Sequence, residues 1–143
     1  MVRVGFPGGP RLIWYDRNPK GITFWSSGVL SPHVPTVRWS YTCPTGKKSL
    51  VEIGHARLDR ITAAETVGPA SAEIAISVNA GASFQSMIMA LLRTNAPDDF
   101  DRLGIGTAIP VFASDIVKGD THDSSTGGTI DYLLQMKLTE FDA

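Results

Sequence analysis

Val37, Trp39, Tyr41 and Cys43 alternate with Arg38, Ser40 and Thr42, and no other feature limits the possible folds so sharply. Side chains two residues apart share one face of a β-strand, so this spacing makes a strand with one apolar face. Pro44-Thr45-Gly46-Lys47 then interrupts the run. Proline presets φ for the second position of a turn, and glycine accepts positive φ. A second apolar run, Leu50 to Leu58, follows directly. Val37–Ile61 therefore reads as a β-hairpin whose apolar face needs another sheet to cover it. In the return strand Val51 and Ile53 have one parity and Ala56 and Leu58 the other. A β-bulge near Gly54 would reconcile them.

The alternation recurs along the chain. Ala72, Ile74, Ile76 and Val78 alternate with polar or small residues, and Ile130, Tyr132, Leu134, Met136 and Leu138 oppose Asp131, Gln135, Lys137 and Thr139. Ile22, Phe24 and Trp25 follow the turn residues Asp16–Gly21 and are expected to pair with Arg11–Tyr15. Phe84–Thr94 has helix-favouring Met and Leu, yet Phe84, Ser86, Ile88, Ala90 and Leu92 alternate, and a strand is expected. Thr107–Val117 reads as another strand, with Pro110 marking an edge or a bulge. Gly28–Pro35 and Asn79–Ala82 read as a loop and a turn. Asn95–Arg102 reads as an acidic loop with a helical turn at Pro97, and Lys118–Gly128 as a polar turn cluster. About eight strands with one apolar face each, and no strong helix, predict an all-β fold. The architecture expected is an antiparallel two-sheet sandwich or jelly roll. One domain over 11–143 follows an extended arm at 1–10, which contains three Gly and two Pro.

Composition agrees with that class. Hydrophobic residues make up 43% and charged residues 19% of the 143, with 14 Gly and 9 Pro, which suits a turn-rich β-protein. A net charge of −1 gives no pull towards nucleic acid or an acidic membrane. Residues 1–60 carry nine Lys/Arg against three Asp/Glu, a net of +6, and residues 61–143 carry four against eleven, a net of −7. Interleaved strands would mix these charges within one domain; alternatively, faces of neighbouring copies attract. Cys43 is the sole cysteine, so no intramolecular disulfide is possible, and on an apolar face its thiol behaves as a small hydrophobe. No stretch approaches the about 18 apolar residues of a membrane helix. Nor does the amino terminus have a signal peptide's apolar core. A soluble protein made in a cytoplasm is expected.

Motifs that carry chemistry are absent. His33, His55 and His122 are far apart, with no HxH, HExxH or CxxC. Asp120, His122 and Asp123 lie in an oxygen-rich segment without EF-hand spacing, and read better as a solvated turn than as the metal site of an enzyme. Asp98, Asp99 and Asp101 follow Pro97 and suit a helix N-terminus better than a catalytic carboxylate cluster. No nucleophile elbow, Walker loop or GxGxxG is present. No catalytic residue, metal or cofactor is expected. Basic residues interleave with Trp14, Tyr15, Trp25 and Trp39 in the first half, as single-stranded nucleic acid or sugar would require. Core aromatics beneath a solvated basic face explain the same pattern more simply, and nucleic acid is not expected.

Tyr41-Thr42-Cys43-Pro44-Thr45-Gly46-Lys47-Lys48, entering Leu50-Val51-Glu52-Ile53, resembles a phrase Y-T-x-P-x-G-K-K of small virion proteins of tailed bacteriophages, including capsid decoration and head- or tail-associated proteins. The family phrase commonly has a small aliphatic residue where this chain has Cys43. The resemblance implies a non-enzymatic β-sandwich of the virion that assembles as a homotrimer or other homo-oligomer. Its partner would be a major capsid or tail protein, with no membrane involved. Arg3, Phe6, Arg11, Trp14 and Trp25 are the residues expected to meet partners. The second reading is a carbohydrate- or receptor-binding module that stacks its ligand on Trp14, Trp25 or Trp39.

Overall fold

The computed structural model describes residues 17–30, 33–66 and 68–143, with backbone alone for 101–107. The arm at 1–10, the Arg11–Tyr15 strand with its expected pairing, and the candidate contacts Arg3, Phe6, Arg11 and Trp14 lie outside the described residues.

Eight strands are described: β1 (Lys20–Val29), β2 (Thr36–Thr42), β3 (Lys47–Thr62), β4 (Ala70–Ser77), β5 (Gln85–Leu92), β6 (Asp98–Val111), β7 (Ile116–Asp123) and β8 (Thr129–Asp142). One sheet has the order β1-β8-β3-β6 and the other β2-β7-β4-β5, with every pairing antiparallel. This order, with most successive strands in opposite sheets, is the eight-stranded jelly roll. The first sheet alternates strands from the basic half (β1, β3) with strands from the acidic half (β8, β6). The opposite charges of the two halves are therefore interleaved within one sheet.

The expected hairpin at Val37–Ile61 is corrected: β2 and β3 belong to different sheets. The turn itself is present, because Lys47 N donates to Pro44 O at 3.1 Å and Gly46 has φ 79°. It forms a corner between sheets. Side by side, the two strands would leave their shared apolar face open; in separate sheets each is covered by the opposite sheet, Trp39 and Tyr41 of β2 by Phe24 of β1, and Gly54 of β3 by Ile74 and Ile88. Tyr41 Oη lies 2.6 Å from Ser49 Oγ and donates to Glu140 Oε2 at 2.8 Å, so the corner is fastened across the sandwich. Burial, and then the hydrogen bond to Glu140, push the Tyr41 phenol well above its ordinary pKa, although Ser49 opposes them. Cys43 is fully buried beside Ser49, as an apolar-face thiol should be. Among the described strands, β4 and β5 are the one consecutive pair within a sheet. Their connection, residues 78–84, holds a turn closed by Ala82 N to Asn79 O at 3.2 Å, with Ala80 at φ 55° and Gly81 at φ 90°, the left-handed region.

The β3 register shifts between Val51 and Ile53 against both neighbours, two residues before the expected bulge. Val51 is thereby buried with Ala56 and Leu58, while Ile53 points outward. Gly54 serves a different purpose. It faces the core, where a Cβ would collide with Ile88 and come within 3.2 Å of Ile74 Cδ1. Its hydrogen lets the two sheets approach. The alternation expected in β4 holds for Ala72, Ile74 and Ile76, whereas Val78 lies beyond the strand and is exposed; the register shift opposite Ile74 and Ala75 places the extra residue, Met87, on β5.

Three further assignments are corrected, two loops and one strand. Asp98–Arg102 is not a loop with a helical turn; it enters β6 opposite Arg60–Ala56, and no helix occurs among the described residues. Thr107–Val117 is two strands separated by a turn, closed by Asp115 N to Phe112 O (3.0 Å) and Phe112 N to Asp115 Oδ2 (2.9 Å). Pro110 sits on β6 at the sheet edge, where its missing N–H costs no ladder bond on the open side. The largest change concerns Lys118–Asp123, which is no turn but most of β7, central in the second sheet. Its inward residues are small or polar, and each is occupied. Gly119 lies under the Trp39 indole, Thr121 Oγ1 accepts from Arg38 Nε at 2.9 Å, and Asp123 Oδ1 accepts from Ser125 N and Oγ at 2.9 and 2.6 Å.

The core between the sheets holds Leu58, Ile74, Val117, Ile130, Leu134, Met136 and Leu138, all fully buried. Each of the larger aliphatic side chains contributes roughly 1.5–3 kcal/mol by leaving water. At one end of this core Arg60 is only 1% exposed; its terminal nitrogens lie 3.4 Å from Ser125 Oγ and its Nε has no partner.

Candidate interaction surface

The outer face of the β1-β8-β3-β6 sheet carries Trp25, Val29 and Ile53 among the exposed apolar side chains, while Val37 and Met89 belong to the other sheet and Val34, Val78 and Phe112 to loops. Alternation sends Ile22 and Phe24 of β1 inward and Trp25 and Val29 outward, and Trp25 is 58% exposed. β8 sends Leu134 and Met136 to the core and presents Asp131, Leu133, Gln135 and Lys137 on the other side. β3 adds Ile53, His55, Arg57 and Asp59. The register aligns Trp25 with Gln135 and His55, and Ser27 with Leu133 and Arg57. Trp25 and Val29 therefore lie diagonally on either side of Leu133, close enough for side-chain contact across neighbouring strands. A depression of about 270 Å³ opens beside them, lined by Ser27, Arg57, Asp59, Asp131, Tyr132 and Leu133.

The rim is charged. Asp131, Asp59 and Asp99 form one row across β8, β3 and β6, and Arg57 Nη2 lies 3.8 Å from Asp59 Oδ2. Like charges directly opposite one another are unfavourable in a sheet, so this row adds nothing to the fold. Arginine and an aromatic beside a depression, ringed by polar groups, is the composition of a binding hot spot.

Of the five residues expected to meet partners, only Trp25 lies among the described residues, and it stands on this face on the edge strand β1, beside β8. Trp39, the other described platform candidate, stacks inward on Phe24 with centroids 5.2 Å apart. Asp120 and His122 point outward on β7 whereas Asp123 points into the core, so that trio does not converge. Among the described residues no group of three or more His, Cys, Asp or Glu could hold a metal ion. Sequence reading missed Val29, Leu133, Arg57, Asp59 and Asp131 as surface partners of Trp25. Leu133 is the readable signal, a large apolar residue on the polar parity of the amphipathic strand β8.

The opposite outer face, on the second sheet, is different. Glu73 lies directly across from Asp120, and Lys118 Nζ contacts Asp120 Oδ2 at 2.8 Å while covering the Phe84 ring at 4.3 Å. Burial, then the Asp120 charge, raise the Glu73 carboxyl above its ordinary pKa. At the end where the described chain begins, Asp142 accepts from Lys47 Nζ at 2.5 Å and Asn18 Nδ2 at 2.6 Å. Those bonds lower the Asp142 pKa, and the one to Asp142 raises that of Lys47.

No protein-family model and no curated protein matches the chain. Among solved structures it is similar to the Eiger TNF of S. frugiperda at 10% identity, covering 86% of this chain and 92% of that one, with a TM-score of 0.39. It is also similar to a chain of infectious bursal disease virus, Gx strain, at 11% identity, covering 88% of this chain and 32% of that one, with a TM-score of 0.40.

Proposed function

We propose that this protein is a structural component of a virion, a homo-oligomeric β-sandwich that binds the capsid or tail surface and stabilises the particle without catalysing a reaction. The observation that carries the reading is the Trp25–Val29–Leu133 patch, with Trp25 and Val29 exposed on an outer sheet face and Leu133 half-buried between them, near Arg57, Asp59, Asp131 and Lys137. Such a patch is built to be covered. The Tyr41–Lys48 phrase adds its resemblance to virion proteins of tailed bacteriophages. The mechanism is mass action: a protein that binds only the assembled particle lowers the free energy of that state. The test is sedimentation of the purified protein alone and with tailed-phage capsid shells stripped of their surface proteins. Homo-oligomers that co-sediment saturably with the shells support the reading. A monomer at every concentration that stays in the supernatant refutes it.

The exposed indole of Trp25 beside a polar depression also favours a second reading, a carbohydrate-binding module. Saccharide-dependent quenching of tryptophan fluorescence that disappears in Trp25→Phe would select it over the first.

A further inference from the structure

The outer face of the β1-β8-β3-β6 sheet carries a knob, a hole and opposite charges in an arrangement that fits itself. We propose that this face is a two-fold interface between copies of this chain, in which Trp25 of each copy enters the depression of the other. The proposal rests on the self-association part of the function proposed above and specifies where it occurs.

On β8 the outward residues run Asp131, Leu133, Gln135, Lys137, so a negative and a positive group stand three residues either side of Leu134. At ~3.4 Å per residue each is roughly 10 Å from that level. Ser26 of β1 and Ala56 of β3 share the level of Leu134 in the register. A two-fold axis lying across the strands at this level stacks β8 on β8 of the second copy, antiparallel. Asp131 then meets Lys137 of the second copy, and Lys137 meets its Asp131.

The same operation settles the position of the tryptophan. Trp25 lies one residue from the axis on the Lys137 side, so it falls on the row of Ser27, Leu133 and Arg57 of the second copy. Those three residues line the depression, with Asp59, Asp131 and Tyr132 completing it. The Asp131 and Lys137 charges of β8 set the axis position independently of Trp25. An isologous contact requires each feature to meet its complement in this way, and two sheets stack face to face about 10 Å apart, near enough for an indole to fill a shallow hole. The contact makes dimers, or assemblies built from dimers, where the resemblance implies a homotrimer or other homo-oligomer.

Analytical ultracentrifugation over a wide concentration range tests this with the wild type, Trp25→Ala, Asp131→Lys, and the double variant Asp131→Lys with Lys137→Asp. Circular dichroism checks folding, and the charge-swap pair keeps the test decisive if the tryptophan variant unfolds. The wild type should dimerise, and W25A should weaken dimerisation by at least about 30-fold, as loss of an aromatic anchor seated in a pocket does. D131K should weaken it too, by placing two like charges together, and the double variant should recover most of the loss. A homo-oligomer that W25A leaves unchanged, or a double variant no better than D131K, overturns this interface while self-association stands. A monomer at every concentration overturns self-association as well.

Discussion

Gly119 is the position where a single methyl group should do the most measurable harm. It lies in the middle of β7, paired with Trp39 of β2, and the indole covers its Cα. A Cβ there would lie 2.5 Å from Trp39 Cε2, 2.7 Å from Cζ2 and 2.9 Å from Nε1, far inside ordinary contact. The ring cannot simply swing away, because its other side is stacked on Phe24 at 5.2 Å. Overpacking of this kind costs about 1–3 kcal/mol. Replacing glycine within a strand returns roughly 0.5–1 kcal/mol of backbone entropy. Gly119→Ala should therefore destabilise by about 1–2 kcal/mol, a fall in Tm of roughly 3–6 °C for a chain of this size. Urea denaturation of G119A, W39L and the double variant forms a cycle that isolates the clash. In the W39L background G119A should be neutral or slightly stabilising. A G119A protein as stable as the wild type, or one equally destabilised with and without the indole, refutes the reasoning.

Glu73 has a raised folded pKa, so its protonated form favours folding. That contribution is fully present below the ordinary value of 4.5 and is lost as pH rises through the raised one. Glu73→Gln, which removes the charge facing Asp120, should add a few tenths to about 1 kcal/mol at pH 7, discounted for solvent screening. Urea midpoints should show the gain shrinking towards pH 4.5, and a larger gain at the lower pH contradicts the assignment. Ala80 holds φ 55° in the β4–β5 turn, a conformation that costs an L-residue ~1–2 kcal/mol, of which glycine's entropy takes back part. Ala80→Gly should therefore raise the melting temperature, and a fall refutes the turn geometry. Arg60 is fully buried with an unbonded Nε, so Arg60→Met should fall within ~1 kcal/mol of the wild type or above it. Arg60→Ala, which leaves a cavity, should lose about 2–4 kcal/mol in the same denaturation assay.

How much of the surface site could be read beforehand depended on parity. Trp25 was legible as a contact because it breaks the alternation set by Ile22 and Phe24, and a tryptophan on the wrong parity has to face outward. Leu133 breaks the alternation of β8 in the same manner. The depression, the carboxylate row and the charge symmetry about Leu134 were not legible. They depend on which strands lie beside one another, and β1, β8 and β3 come from the beginning, the end and the middle of the chain. The charge difference between the two halves was visible, but its fate was decided by the same interleaving.

The fold was legible as far as each strand's own amphipathicity could carry it. Alternation specified the strands whose inward residues are apolar, such as Ile130–Leu138, and failed at β7, whose inward residues are Val117, Gly119, Thr121 and Asp123. That strand is central because its partners supply what it lacks: the Trp39 indole fills the space over Gly119, and Arg38 and Ser125 satisfy Thr121 and Asp123. Such complementarity between strands far apart in sequence leaves no periodic trace in either one. The corner at Pro44–Lys47 fails for a related reason. Turn residues report that the chain reverses, which is equally true of a hairpin and of a crossing between sheets. What separates them is whether the following strand finds its hydrogen-bonding partner in the preceding one. Here β8, a long amphipathic strand, pairs with β3 from Lys47 to Thr62 and leaves β2 to pair with β7. A hairpin reading of any turn in a chain like this one is therefore conditional on the absence of a longer, better-matched strand later in the sequence.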